Sequence, residues 1–206
     1  VKSNKLTGQV LFGNILKPKK YNMGQNKFVD DPSGTFNLTI IMDESSGEFS
    51  ELKRAYKELV DEIKTRDAYK KLTTPPIFSV KIKSHTDKDG AAVIGKKQVS
   101  LKRNAINSKH EVAQIDIYNQ YGQPYEPLND IGYGSKVQVM YSIYDNYIAK
   151  DNKWYVTLCL LAVLIEEEAS SSYNWDIKQP DVSQSVAQQF DGEVVENQED
   201  TKGLPF

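Results

Sequence analysis

Lys136-Val137-Gln138-Val139-Met140-Tyr141-Ser142-Ile143-Tyr144 places Val137, Val139, Tyr141 and Ile143 at every second position. That period is the mark of a β-strand with one face in a core. Trp154 to Ile165 is the last and most apolar stretch, and Val156, Leu158, Leu160 and Ala162 form its expected core face. Between the two, Tyr144-Asp145-Asn146-Tyr147 leads through Lys150 and Lys153 to Trp154-Tyr155, a connection dense in rings and charge.

Outward from this pair the same logic recurs. Ile77 to Ser84 alternates, with Phe78, Val80 and Ile82 on one side and Ser79, Lys81 and Lys83 on the other. Thr35 to Met42 is rich in β-branched and aromatic residues. Leu6 to Lys17 holds a strand-like run, Val10 to Leu16, which Pro18 is expected to stop. Val112 to Tyr118 reads as a further strand, and Asp87–Gly90 and Gly95–Lys97 as turns. One segment has a different period. Phe49, Leu52, Tyr56, Leu59 and Ile63 recur at intervals of three and four, which predicts an amphipathic helix reaching about Leu72. Ser45 with Glu48 has the spacing of a capping box at its start, and Thr74-Pro75-Pro76 ends it. Five or more short strands with one helix between them predict an all-β domain over residues 1–168. The expected form is an OB-fold-like five-stranded Greek-key barrel. Periodicity alone leaves another β-sandwich open.

From Ala169 to Phe206 the sequence turns to Ser, Gln, Asn, Asp and Glu with little periodicity. Such a segment has too little apolar area to offset its ordering entropy, so residues 169–206 are expected to be a disordered acidic tail. Charge divides at the same place. The chain carries 26 Lys/Arg and 28 Asp/Glu; residues 166–206 hold 2 and 10 of these, a balance of −8, which leaves 24 and 18, or +6, for the rest. A basic body suits a polyanionic ligand, and an acidic tail can compete for the same surface.

Several function classes find little support. No apolar run approaches the roughly 18 residues that span a bilayer, and no membrane role is expected. Nothing at the N-terminus reads as an export signal. The lone Cys159 lies in an apolar stretch and is read as a small buried group of a reducing compartment. His85 and His110 have no ligand partners at metal spacing, Asp30-Asp31 read as turn formers, and Glu166-Glu167-Glu168 form only a weak cluster. Gly132 and Gly134 make a GxG without the helix or third glycine of a phosphate loop. No nucleophile with its base is apparent, so neither catalysis nor a cofactor or metal is expected.

Single-strand binding needs a cationic surface for phosphates and exposed rings on which bases stack, each ring contributing about 1–3 kcal/mol. The chain has 12 Tyr, 7 Phe and 2 Trp, often beside lysine. The candidate DNA-binding residues are Lys17, Lys19, Lys20, Tyr21, Lys81, Lys83, Lys102, Arg103, Lys136, Tyr144, Tyr147, Lys150, Lys153, Trp154 and Tyr155. Phe36, Phe49, Tyr56, Phe78 and Tyr141 sit on apolar faces and are read as core; Tyr144, Tyr147 and Tyr155 as exposed. In the tail, Asp191, Glu193, Glu196, Glu199 and Asp200 precede Leu204-Pro205-Phe206, whose ring and carboxylate suit an apolar pocket rimmed by Arg or Lys on a partner. The competing reading is a structural or adaptor β-sandwich of a virion with no nucleic-acid binding. Stacking accepts DNA and RNA alike.

Four stretches in order carry a family resemblance. Ile15-Leu16-Lys17-Pro18 comes first, then Pro32-Ser33-Gly34 before Phe36-Asn37-Leu38-Thr39-Ile40. Ile131-Gly132-Tyr133-Gly134-Ser135-Lys136 leads into Val139-Met140-Tyr141-Ser142, and the strand Val156 to Ile165 follows. Over residues 6–168 and the tail tip, the chain resembles the single-stranded DNA-binding proteins of short-tailed, T-seven-like bacteriophages. The resemblance implies an OB-fold barrel capped by a helix, a homodimer, and action in DNA replication, recombination and repair in the cytoplasm of the infected bacterial host. It also implies a tail that binds the replicative DNA polymerase and primase-helicase and occupies the DNA groove when DNA is absent. This tail is sparser in acid than the family's, which implies weaker competition. Its Gly203-Leu204-Pro205-Phe206 tip is closer to the Pro-Phe ends of bacterial single-strand binders.

Overall fold

A computed structural model describes residues 4–107 and 110–169, together with the backbone of 194–195. Five strands close a barrel: β1 (Asn4–Asn22), β3 (Thr35–Asp43), β6 (Ala92–Asn104), β8 (Lys136–Ile148) and β9 (Lys153–Glu167). β1 pairs antiparallel with both β3 and β8, β3 with β6, and β8 with β9. A parallel bridge, Lys102 to Cys159, joins β6 to β9 and completes the circuit β1-β3-β6-β9-β8-β1. This is the five-stranded Greek-key barrel of the OB-fold. Short strands extend it: β2 (Lys27–Asp30) on the end of β1, β4 (Ile77–Val80) parallel to the start of β9, and β5 (Ile82–Thr86) on β6. β7 (Asp116–Tyr118) runs parallel to the end of β9, and β10 (Val194–Val195) lies antiparallel on β4.

The helix α1 (Gly47–Thr65) buries Phe49, Leu52, Tyr56, Val60 and Ile63 in the same core as Leu6, Val10, Leu38, Ile40, Val137, Val139, Tyr141, Val156, Leu158 and Leu160. Burial pushes the Tyr56 and Tyr141 hydroxyls up to about 12. Phe36 and Phe78 are also core, as their strand faces predict. The cap is Ser46, not Ser45: its Oγ accepts from the Phe49 N–H at 3.1 Å. Glu48 caps nothing; its carboxylate instead accepts from the Thr7 N–H at 2.7 Å and tethers the helix start to β1. The helix also stops short of Leu72. Arg66 leaves helical geometry, and a single turn, α2 (Asp67–Lys70), follows.

Other departures share one cause, irregular pairing. Pro18 does not end β1, because the register with β3 skips from Asn14 to Lys19 and needs no N–H from the proline. The Ile15 and Leu16 amides there donate to Asp130 instead, at 2.9 and 3.0 Å. In β9 the register skips Leu161, which turns Ala162 off the core face and brings Val163 and Ile165 in. Gly95–Lys97 is no turn; Gly95 takes a positive φ of 75° within β6 where the pairing with β5 is irregular. Val112 forms only an isolated bridge with Ile106 and is exposed, so the strand near it shrinks to β7.

Candidate nucleic-acid interface

Strand alternation gives the barrel an outer face opposite the core. On β3 it consists of Asn37, Thr39 and Ile41, and on β6 of Gln98, Ser100 and Lys102, their direct partners. Phe12 of β1 lies opposite Thr39 and is 38% exposed; the register skip at Leu11 is what turns it outward. Beyond β6 the face continues through Cys159, Thr157 and Tyr155 on β9 and Ser142 and Tyr144 on β8. Lys81 and Lys83 join it from the other side of β6, with Lys83 opposite Gln98 and the Lys81 carbonyl accepting from the Ser100 N–H. The floor is small and polar: Thr39 and Ser100 join hydroxyls at 2.9 Å.

An arm stands at each end of this face. The first is the β1–β2 hairpin, bearing Lys17, Lys19, Lys20 and Tyr21. It meets the face where Lys19 lies opposite Thr35, itself opposite Asn104. Gly34 makes this junction possible, since a Cβ there would sit 2.6 Å from the Lys19 carbonyl oxygen. Asp31 closes the neighbouring turn by accepting from the Ser33 N–H at 2.7 Å, the turn-forming role expected of it. The Tyr21 ring packs edge-on against Phe28, and its hydroxyl bonds Asn26.

The second arm is the β8–β9 hairpin. Tyr144 is 40% exposed on its outer side, and Tyr155, half-buried, lies next to it across Asn146 and Thr157. Lys150 is exposed in the 3-10 turn Ala149–Asp151 at the tip, and Lys153 is half-buried just after it.

Four predicted site residues belong elsewhere. Trp154 is 4% exposed: it shares the inward parity of Val156 and Leu158, and its indole N–H donates to Asp145 at 2.7 Å. Tyr147 has the same inward parity; its ring packs on Trp154 with centroids 5.0 Å apart, and its hydroxyl donates to Asn152. Lys136 starts β8, the whole strand away from the hairpin tip, and pairs with Glu166 at 2.9 Å, which holds its ammonium above the usual lysine value. Arg103, half-buried, lies opposite the buried Phe36 and shares the inward parity of Val99 and Leu101, so it does not belong to the outer face defined by Gln98, Ser100 and Lys102. Cys159 is half-buried on the face rather than in the core; burial pushes its thiol up, against the pull of Arg103 and Ser142.

Lys17 lies 3.9 Å from Asp30. By contrast, Lys19, Lys20, Lys102, Arg103, Lys150 and Lys153 have no ion pair among the described residues. Lys102 is the most enclosed of them, and desolvation holds its ammonium below the usual lysine value. The sequence reading missed Phe12, Asn37, Thr39 and Ser100. For Asn37 and Thr39 the signal existed, since they occupy the off-core parity of a strand already recognised; for Phe12 it did not, because the skip at Leu11 has no sequence mark. Among the described residues there is no group of three or more His, Cys, Asp and Glu side chains arranged for a metal, and no helix long and apolar enough to cross a membrane. The predicted tail residues Asp191, Glu193, Glu196, Glu199, Asp200, Leu204, Pro205 and Phe206 lie outside the described residues.

No family model matches the sequence, and no curated protein matches it. Solved structures do. The crystal structure of gp2.5, a single-stranded DNA binding protein encoded by bacteriophage T7, is similar at a TM-score of 0.59 and 18% identity, over 85% of this chain and 91% of that one. The single-stranded DNA-binding protein from bacteriophage Enc34 is similar at 0.54 and 15%, over 86% and 88%. Its complex with single-stranded DNA gives 0.54 and 15%, over 81% and 86%. The barrel, helix and strand order described above are therefore the fold of two phage single-stranded DNA-binding proteins, as the sequence resemblance leads one to expect.

Proposed function

We propose that this chain binds single-stranded DNA without sequence preference along the outer face, between the two arms. The observation that carries the reading is the face itself: a small polar floor with Phe12, Tyr144 and Tyr155 as stacking rings and Lys19, Lys20, Lys102, Lys150 and Lys153 without ion pairs among the described residues. Strand faces and loops of this kind take oligonucleotides in OB-folds. A backbone tracked by lysines and bases resting on rings need no base-edge readout. The Enc34 protein, with the same fold, has a structure in complex with single-stranded DNA.

The wider role we assign is DNA replication, recombination and repair of a phage, as a homodimer in the cytoplasm of the infected host. The acidic tail competes with DNA for the face and recruits replication proteins, the polymerase and primase-helicase, through Leu204-Pro205-Phe206. Two features support competition: the −8 balance of residues 166–206, and the pairing of Val194 with Ser79, itself the partner of Tyr155. An oligothymidylate titration at two salt concentrations tests the reading. Tight binding at low salt that weakens steeply as salt rises supports it; no binding at low salt rejects it. Removal of Gly203–Phe206 is expected to leave DNA binding intact and abolish capture of the polymerase or helicase; retained capture would reject the tail's role.

A further inference from the structure

The β8–β9 arm is fastened from below by one carboxylate. Asp145 faces inward, between Tyr144 and Asn146, which face outward. It accepts both terminal guanidinium N–H groups of Arg66, at 2.7 and 3.1 Å, and the Trp154 indole N–H at 2.7 Å. Its side chain is only 14% exposed. Arg66 is the residue at which α1 ends, so the contact ties the helix to the hairpin. Trp154 in turn packs against Tyr69 of α2, Phe78 of β4 and Tyr147 of β8. Farther out, Asn152 adopts a left-handed φ of 47°; its side chain reaches the Pro75 carbonyl, and its own carbonyl accepts from the Ile77 N–H.

Each inward anchor is thus the chain neighbour of an outward ring, Asp145 of Tyr144 and Trp154 of Tyr155. Backbone that shifts at an anchor carries its ring with it. A bidentate Arg–carboxylate pair, here with an enclosed carboxylate and a partly exposed guanidinium, fixes orientation as well as distance. Its charge is also notable. A carboxylate within an arm that meets phosphates would repel them, yet here the guanidinium cancels it.

We propose that Asp145 is a positioning residue for DNA binding: through Arg66 and Trp154 it holds the β8–β9 arm in the register that lines up Tyr144 and Tyr155 with the outer face. This rests on the DNA-binding reading above, and the two can fail separately. Asp145→Asn in the full chain keeps the shape, removes the charge and loses one acceptor. Charge alone predicts that losing an acid tightens binding to a polyanion. Positioning predicts the reverse, about tenfold weaker oligothymidylate binding, the scale of a lost charge-assisted hydrogen bond. The measurement is made well below the melting temperature, where a purely structural contribution would leave affinity unchanged.

Amide exchange across Asn146–Tyr155, measured without DNA, is expected to quicken about tenfold as that bond is lost. Should Asp145→Asn not fold, Trp154→Phe keeps an aromatic side chain there but loses the N–H donor together with the pyrrole ring's packing, with the same directions expected in both readouts. The exposed Glu62, which also touches Arg66, is the control for charge: Glu62→Gln removes an acid from the same guanidinium and is expected to leave hairpin exchange unchanged and DNA binding equal or slightly tighter. Equal or tighter DNA binding by the Asp145 variant, or unchanged exchange in the hairpin, overturns the proposal. If the unaltered chain itself binds no oligonucleotide, the DNA-binding reading falls, and the proposal that depends on it falls too; the exchange data then decide only whether Asp145 orders the arm.

Discussion

The two arms flanking the outer face are built in opposite ways. The β8–β9 arm is anchored on its inner side by a bidentate, partly buried ion pair, a satisfied indole and a cluster of four rings, Tyr69, Phe78, Tyr147 and Trp154. Among the described residues the β1–β2 arm has no counterpart of the Asp145 anchor. Its ring pair, Tyr21 and Phe28, is only half-buried, and polar turns around Asn22 and Asp31 shape it. A barrel can thus present one preorganised arm, whose rings are held before a ligand arrives, and one lysine-rich arm whose contribution is charge more than position. Preorganisation reduces the ordering cost of binding; a lysine at a loop end attracts phosphate from many positions.

The sharpest way to break this comparison is to remove one ring from each arm. Trp154→Ala is expected to destabilise the fold by about 3–5 kcal/mol, the range for deleting a buried aromatic. Phe28→Ala, at a half-buried ring, should cost less, about 1–2 kcal/mol. Denaturant unfolding of both variants checks the ratio; equal losses would erase the distinction between the arms.

Trp154 also shows what was legible in the sequence and what was not. The strict two-residue period of Val137–Ile143 and Ile77–Lys83 fixes strand faces by itself, so most of the core and the helix are legible in pattern, while the choice of a barrel over another β-sandwich is not. The same period, applied to Val156 and Leu158, already puts Trp154 inside. Reading it as a surface ring let its place beside lysines outweigh its parity. Leu11 and Leu161 are different. Each is the extra residue of a bulge, and nothing in composition marks which residue a strand will skip. The outward turn of Phe12 and the shift of Ala162 off the core face are therefore visible only in the pairing. Lys136 is a third case: a lysine near a GxG loop in sequence stands at the far end of a long strand, beside Glu166, and only the pairing reveals it. The candidate face itself is a product of register, assembled from β1, β3, β6, β8 and β9.

Smaller effects refine the contrast. Tyr155→Ala should weaken oligonucleotide binding by about 1–3 kcal/mol, as expected for a lost stacking platform, with little change in salt dependence. Lys19→Ala with Lys20→Ala should do the opposite, lowering the slope of log K against log salt by roughly 1.4, or about 0.7 for each phosphate contact on a single strand. Titrations of both variants at several salt concentrations separate the two behaviours.

The smallest effect concerns pH. Lys102 must be charged to hold a phosphate, and burial holds its ammonium below the usual lysine value. Its contribution to DNA affinity should therefore fade as pH rises, before that of the exposed lysines. For folding the sign is reversed. Between the lowered folded value and the ordinary unfolded one, the unfolded chain binds more protons, so stability rises with pH in that window. Lys102→Arg, charged throughout, should abolish the alkaline loss of affinity; an unaltered pH profile would remove Lys102 from the interface.

The most direct test of the outer face is photo-crosslinking of oligothymidylate to the full-length protein, with the adducts mapped by mass spectrometry. Tyr121 and Tyr133, on the connection between β6 and β8, serve as comparators, because at 77% and 65% they are more exposed than any ring of the face. The account predicts adducts on the peptides containing Phe12, Tyr144 and Tyr155 despite that disadvantage. Adducts confined to the Tyr121–Tyr133 connection or to α1 would contradict it.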